Sequence, residues 1–229
     1  MTHNRVIRPD IFSHIPYLVA GISTRHGGVS LQAYQSLNLG VHTDDNPLAI
    51  ETNLGLFCGD LGIQSKSLAR AYQVHGDRIW STSNPGYQSD FDAILVPKPG
   101  VFAGVSVADC CPILLTDPLR KSVAAIHAGW KGTVSRIVQK TASAMISSGS
   151  NPADILAYIG PCISFTHFEV GDEVAEHFDQ KEKRGTRWHV DLKAANAAQL
   201  RAVGINQIEI SSHCTVENND VFYSHRKEN

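Results

Sequence analysis

Short apolar runs set the limits on what this chain can become. Eight β-prone stretches punctuate it: Tyr17–Ser23, Ala69–Val74, Ala93–Val96, Gly104–Val107, Ile113–Thr116, Val123–His127, Leu156–Ile159 and Gln207–Ser211. Runs this short and apolar fit buried strands better than helices. Three helical signals lie between them. Asn46 and Pro47 open one, in which Ile50, Leu54, Phe57 and Leu61 recur at helical spacing until Gly62. A second is predicted to open at Thr133 and to run through Val134, Ile137, Val138, Thr141 and Met145 to about Gly149. A third caps on Asp191, carries Leu192, Ala195, Ala198 and Ala202, and stops at Gly204. Interleaved helices and strands predict layered α and β structure. No linker, low-complexity segment or repeat interrupts the 229 residues, which predicts one domain over residues 1–229.

Composition narrows the function classes. Hydrophobic residues at 42% and charged residues at 18% describe a chain that folds. Twenty basic residues against 22 acidic ones give a net charge of -2, and therefore no electrostatic basis for a nucleic-acid or anionic-membrane partner. The stretch "MTHNRVIRPDIFSHIPYLVA" lacks the apolar core of a signal peptide, and no run reaches the length of a membrane span. Five cysteines, an odd number, point to free or metal-bound thiols in a reducing compartment. The expectation is a cytoplasmic protein.

Three chemistry-bearing residues each sit at the end of an apolar run beside Gly or Pro: His75 in "YQVHGD", Cys110 in "VADCCP" and His127 in "AAIHAGWKGT". Two imidazoles and a thiolate at strand ends would make a His2Cys metal site with one position left for water or substrate. Separations of 35 and 17 residues match no local ligand motif, so the pattern alone leaves this open. Cys110 also reads as a nucleophile activated by a histidine, whereas Cys58, Cys111 and Cys162 read as packing residues and Cys214 receives no role. Asp109 beside Cys110 is a candidate acid, base or ligand-orienting group. The Gly-rich turn "HAGWKGT", with Lys131 and a helix start behind it, reads as an anion site or as a plain strand-to-helix turn.

Six motifs in one order carry a resemblance: "STRHGGVS", "SLNLG", "QVHG", "ADCCPILLTD", "HAGWKGT" and "IGPCI". Together they resemble the family named for multicopper polyphenol oxidoreductase, or laccase, activity. That family is also described as purine nucleoside phosphorylase and adenosine deaminase, and as a peptidoglycan-editing factor. The resemblance runs from about Val19 to "VFYSHRK". It implies an α+β fold, a four-layer α/β/β/α sandwich with mixed sheets. It also implies metal ligands at His75, Cys110 and His127, with Asp109 a catalytic candidate and Arg25, Asn38 and Lys131 contacting substrate or phosphate. Lys131 stands where relatives often have Arg, which keeps a cation but loses a two-pronged donor.

The implied function is a zinc-dependent purine nucleoside enzyme acting on purine nucleoside and phosphate. It would phosphorolyse adenosine, inosine and methylthioadenosine and deaminate adenosine. The alternatives are a cysteine- or zinc-dependent amidase editing peptidoglycan precursors, and a polyphenol oxidase. The residues favour zinc over copper. The two closest histidines, His167 and His177, are ten apart, so there is no His-x-His pair for a copper cluster, and Met1 and Met145 are the only methionines for an axial position.

Overall fold

A computed structural model describes residues 4–228. The ends of the predicted domain, residues 1–3 and 229, and with them Met1, lie outside the described residues. In chain order the first strands are β1 (Val6–Ile7), β2 (Ile22–Ser23), β3 (Leu68–Tyr72), β4 (Ile79–Ser81), β5 (Gly86–Ser89), β6 (Ala93–Val96) and β7 (Phe102–Ala103). They are followed by β8 (Cys111–Asp117), β9 (Ser122–Ala128), β10 (Leu156–Ile159), β11 (Glu169–Val170), β12 (Lys181–Arg184), β13 (Arg187–Val190) and β14 (Gln207–Ile210). The helices are α1 (Pro47–Asp60), α2 (Trp130–Val134), α3 (Ile137–Ser147), α4 (Asp172–Ala175), α5 (Leu192–Ala202) and α6 (His225–Glu228).

A six-stranded sheet in the order β14-β10-β8-β9-β6-β4 forms the centre. Its outer pairs, β14 with β10 and β4 with β6, are parallel, and the inner pairs are antiparallel. Alternation along β6 shows how its two faces are used. Ala93 and Leu95 join the core beneath the helices, with Ile137, Val138, Met145, Leu192 and Leu200. Ile94 and Val96 face the other way, against Ala69 and Ala71 of β3. β3 is the middle strand of a parallel three-stranded sheet, β5-β3-β7. Further along the same side of the large sheet, Phe12 and Ile15 pack on Leu156 and Tyr158. Strands covered on both faces are apolar throughout, which is why these runs lack a polar alternation. The mixed α and β class and the mixed sheet implied by the resemblance are both present.

Local chemistry explains the helices that were legible. The Asn46 side chain accepts from the N–H of Leu48 at 2.9 Å ahead of Pro47, and Asp191 accepts from Ala194 at 2.9 Å. The expected helix from Thr133 is instead two. α2 starts at Trp130, and Arg136, in the left-handed region at φ 61°, turns the chain before α3 begins. The expected strand Gly104–Val107 is also absent, because β7 ends at Ala103. Beyond it the Gln73 amide bonds both the N–H and the carbonyl of Ser106, at 2.8 Å each, so a side chain continues the ladder. Of Tyr17–Ser23 only Ile22 and Ser23 form a strand, paired to Val6 and Ile7.

The helical layer is docked on the segment that follows His127. Fully buried Asn196 of α5 donates to Thr133 Oγ1 at 3.1 Å, and Gln199 donates to the Thr133 carbonyl at 2.7 Å. Removing the cap of α5 therefore tests the stability of this layer. Asp191→Ala should destabilise the protein by about 1 kcal/mol, lowering the melting temperature by roughly 2–4 °C for a chain of this size. Asp191→Asn should leave it nearly unchanged in the same calorimetric scan.

Candidate metal centre

Register brings the three motifs to one end of the sheet. Across the β8–β9 pair, Cys111 faces Ala128 and Pro112 faces His127, so Cys110, just before β8, lies where β9 ends. His75 arrives in the turn after β3, with a left-handed φ of 58°. Its Nδ1 is 3.9 Å from Cys110 Sγ, and the His75 and His127 rings stand nearly perpendicular with centroids 4.7 Å apart. One donor atom from each of His75, Cys110 and His127 falls within 4.8 Å of the others. Gly129 keeps this space clear: a Cβ there would sit 3.0 Å from both Cys110 Sγ and His75 Nδ1.

The group that holds the arrangement together was not singled out in the sequence. Asp92, fully buried at the start of β6, accepts from the backbone N–H groups of Val74, His75 and Gly76 at 3.2, 3.0 and 2.7 Å. Its Oδ1 also lies 2.7 Å from His127 Nδ1, which aims Nε2 at the site. A carboxylate behind a ligating imidazole fixes its tautomer and raises its basicity. Burial pushes the Asp92 carboxyl up, but the hydrogen bonds from His127, Gly76 and Val74 outweigh it, and the group lies below the ordinary carboxylate range. One signal was available: an acidic residue directly before the wholly apolar run Ala93–Val96 must be buried, and hence paired.

Electrostatics separates the two readings of Cys110. Burial, and then the negative groups Asp109, Cys162 and Asp92, push its thiol up to about 12. Such a thiol is protonated at neutral pH and is a poor nucleophile until a cation replaces the proton. His75 is shifted down, first by burial and then by the positive groups His127, Lys131 and His225, against the opposing pull of Asp92. It is therefore neutral at pH 7, the state a metal needs. Two imidazoles and a latent thiolate with room between them fit a borderline-soft divalent ion.

The other expected residues lie around this centre in different ways. Asp109 is not extended, with φ 77°, and its carboxylate accepts from Thr215 Oγ1 at 2.5 Å and the Arg226 backbone N–H at 2.6 Å. It fastens the C-terminal segment beside Cys110, and Asp92 is the residue that orients a ligand. Arg25 bonds the carbonyls of Gln35 and Asn219 and the carboxylate of Glu228, with Tyr223 stacked on its guanidinium. Asn38, buried, donates to Thr43 and Asp45 and accepts from the N–H of Gly40 at 2.9 Å. Lys131 is exposed, and its charge is felt at His75. α2 is only five residues long, too short to gather a macrodipole, so an anion there would rest on the lysine.

The family description multi-copper polyphenol oxidoreductase laccase matches residues 19–229. The chain belongs to this family. It is 38% identical over 212 residues to a protein of Deinococcus radiodurans named purine nucleoside phosphorylase, covering 90% of this chain and 82% of that one. It is 37% identical over 215 residues to purine nucleoside phosphorylase YfiH of Escherichia coli K12, covering 90% and 87%. The crystal structure of YlmD from Geobacillus stearothermophilus superposes with a TM-score of 0.87 at 28% identity, over 91% of this chain and 86% of that one. The Bacillus licheniformis hypothetical protein YfiH gives 0.87 at 30% identity, over 91% and 86%.

In this member of the laccase family Met145 is packed in the core at 1% exposure. Among the described residues no helix is long and apolar enough to cross a membrane. Asp92 provides the sharpest test of the site. In Asp92→Asn the neutral amide no longer supports His127, and zinc affinity measured against a chromophoric chelator should fall about 10- to 100-fold. Gly129→Ala should weaken binding as well, while its far-ultraviolet dichroism stays that of the wild type.

Proposed function

We propose that this chain is a zinc-dependent purine nucleoside enzyme, which phosphorolyses adenosine, inosine and methylthioadenosine and hydrolytically deaminates adenosine. The observation that carries the reading is the convergence of His75, Cys110 and His127 within 4.8 Å, in a chain 38% identical to a protein named purine nucleoside phosphorylase. Zinc, which these three residues would hold, would supply a Lewis acid. His127 presents Nε2 because Asp92 holds Nδ1, and His75 presents a neutral ring. Cys110 acts as a ligand rather than a nucleophile, because its thiol is pushed up to about 12.

The phosphate would meet Lys131. In phosphorolysis the bond from C1′ of the sugar to the base breaks, a phosphate oxygen bonds C1′, and the base leaves with a proton. An ammonium beside the metal centre offsets the charge of the incoming anion without imposing a two-pronged geometry. Arg25, assigned this role by the resemblance, has its donors taken by the protein, and Asn38 spends its amide inside its own turn. We therefore place the anion on Lys131, with Arg25 supporting the C-terminal segment.

A nucleoside panel assayed with and without phosphate tests the reading. Base release should require phosphate, and ammonia should be released from adenosine without it. His75→Ala, Cys110→Ala and His127→Ala should each lose both activities while keeping a cooperative melt. Losing a charge-assisted hydrogen bond costs about 1.5–3 kcal/mol, so Lys131→Ala should raise the KM for phosphate about ten- to a hundredfold and leave deamination near wild type. No base release from any nucleoside in zinc-loaded protein would overturn the proposal. Equal loss of both activities in Lys131→Ala would remove the anion role of that residue alone.

A further inference from the structure

A second group of metal-ligating side chains lies outside the centre just described. His167, Cys214 and Glu217 bring one nitrogen, one sulfur and one carboxylate oxygen within 4.8 Å of one another. His167 Nδ1 is 3.3 Å from Glu217 Oε1 and 3.7 Å from Cys214 Sγ. Around a tetrahedral zinc, with bonds of about 2.0–2.3 Å, a nitrogen and an oxygen stand about 3.3 Å apart, and a nitrogen and a sulfur about 3.5 Å apart. The two observed separations are close to two edges of such a tetrahedron.

Hydrogen bonding alone accounts poorly for this convergence. Ser164 Oγ also approaches His167 Nδ1, at 3.2 Å, so three groups meet one ring nitrogen. That nitrogen has either one proton or one lone pair and serves one partner at a time. A cation would satisfy the nitrogen, the sulfur and the carboxylate together, leaving the serine free for solvent. The sulfur is also set up as a ligand. Cys214 is 1% exposed, and Sγ accepts the Ser164 backbone N–H at 3.3 Å, an outer contact that supports a metal-bound thiolate.

The neighbouring cysteine belongs to neither set of ligands. Cys162 pairs with Cys214 through an isolated bridge, but its own thiol donates to the Ile163 carbonyl at 3.4 Å. The opening faces solvent, since the His167 and Glu217 side chains are 34% and 54% exposed.

We infer that His167, Cys214 and Glu217 form a second cation site, suited to zinc or an ion of similar softness. Its donor set of imidazole, thiolate and carboxylate contains one histidine fewer than the first site, and two of its three ligands are open to water. The ion would tie together the turn after Cys162 and the turn after Cys214. The first of these turns supports the C-terminal segment, because the Arg226 guanidinium bonds the carbonyls of His167 and Glu169.

Metal-free full-length protein titrated with zinc against a chromophoric chelator decides the matter. Two equivalents are expected for the wild type. His167→Ala and Glu217→Gln should each weaken one equivalent by about tenfold or more and leave the other as it was. A His75→Ala/His127→Ala variant should retain the equivalent that His167→Ala removes, so failure of the first centre leaves this test readable. Since Cys214 is buried, Cys214→Ser is read by cobalt instead. With the first site disabled by Cys110→Ser, bound cobalt should show a thiolate charge-transfer band that adding Cys214→Ser abolishes. Zinc binding unchanged in His167→Ala, or no such band in Cys110→Ser, would overturn the inference.

Discussion

Everything at the candidate centre depends on one buried carboxylate. Asp92 gathers three successive backbone N–H groups of the turn that carries His75, and with its other contact holds His127 at the end of β9. A charge with no exposed surface is tolerable only when its acceptor positions are filled. That requirement makes the arrangement rigid: moving the turn, or the ring, would strand an anion in the core. The two histidines of the candidate centre are thus positioned by the cost of leaving Asp92 unpaired. The large sheet supplies the frame, because β6 and β9 are neighbours and the His127 N–H bonds the Asp92 carbonyl at 2.7 Å.

Several of the motifs turn out to be scaffolding. The "STRHGGVS" and "SLNLG" loops are stitched by fully buried Asn53 of α1, which donates to Ser30, Ser36 and Asn38 and accepts from the Val29 N–H. Gly28 is required by that closeness, since a Cβ there would lie 2.2 Å from the Ser36 carbonyl oxygen. Arg25 reaches from the same loop to the C-terminal residues Asn219 and Glu228. Asp109 does the same from beside Cys110, through Thr215 and Arg226. Charged residues in conspicuous motifs are here the fasteners of two loops and a terminal segment.

The sequence revealed most where local chemistry decides structure. Asn46 with Pro47, and Asp191, marked helix starts because their side chains cap the backbone directly, and Ala93–Val96 and Leu156–Ile159 are strands over those same residues. It revealed least where a partner distant in the chain decides. Arg136 breaks the predicted helix in a left-handed conformation that its residue type does not announce. Gln73 replaces a strand with side-chain bonds across 33 residues. At the site, the resemblance supplied the three candidate ligands as a set, which spacing could not. Asp92 escaped because its partners lie 16 to 35 residues away, and its one local sign, a place directly before an apolar run, names none of them.

The anchoring of Asp109 has a consequence for the order in which the molecule is made. His75, Cys110 and His127 are all synthesised well before Thr215 and Arg226. Yet the residue preceding Cys110 is gripped by Thr215 and Arg226, more than a hundred residues further along the chain. No two of the three ligands are close enough in the chain to chelate an ion before the sheet closes, and closing such long loops is slow. An ion held firmly there would therefore mark a chain to which Arg226 has already been joined. A truncated or stalled product would hold the same three side chains in a centre whose thiol-bearing loop has lost its tether.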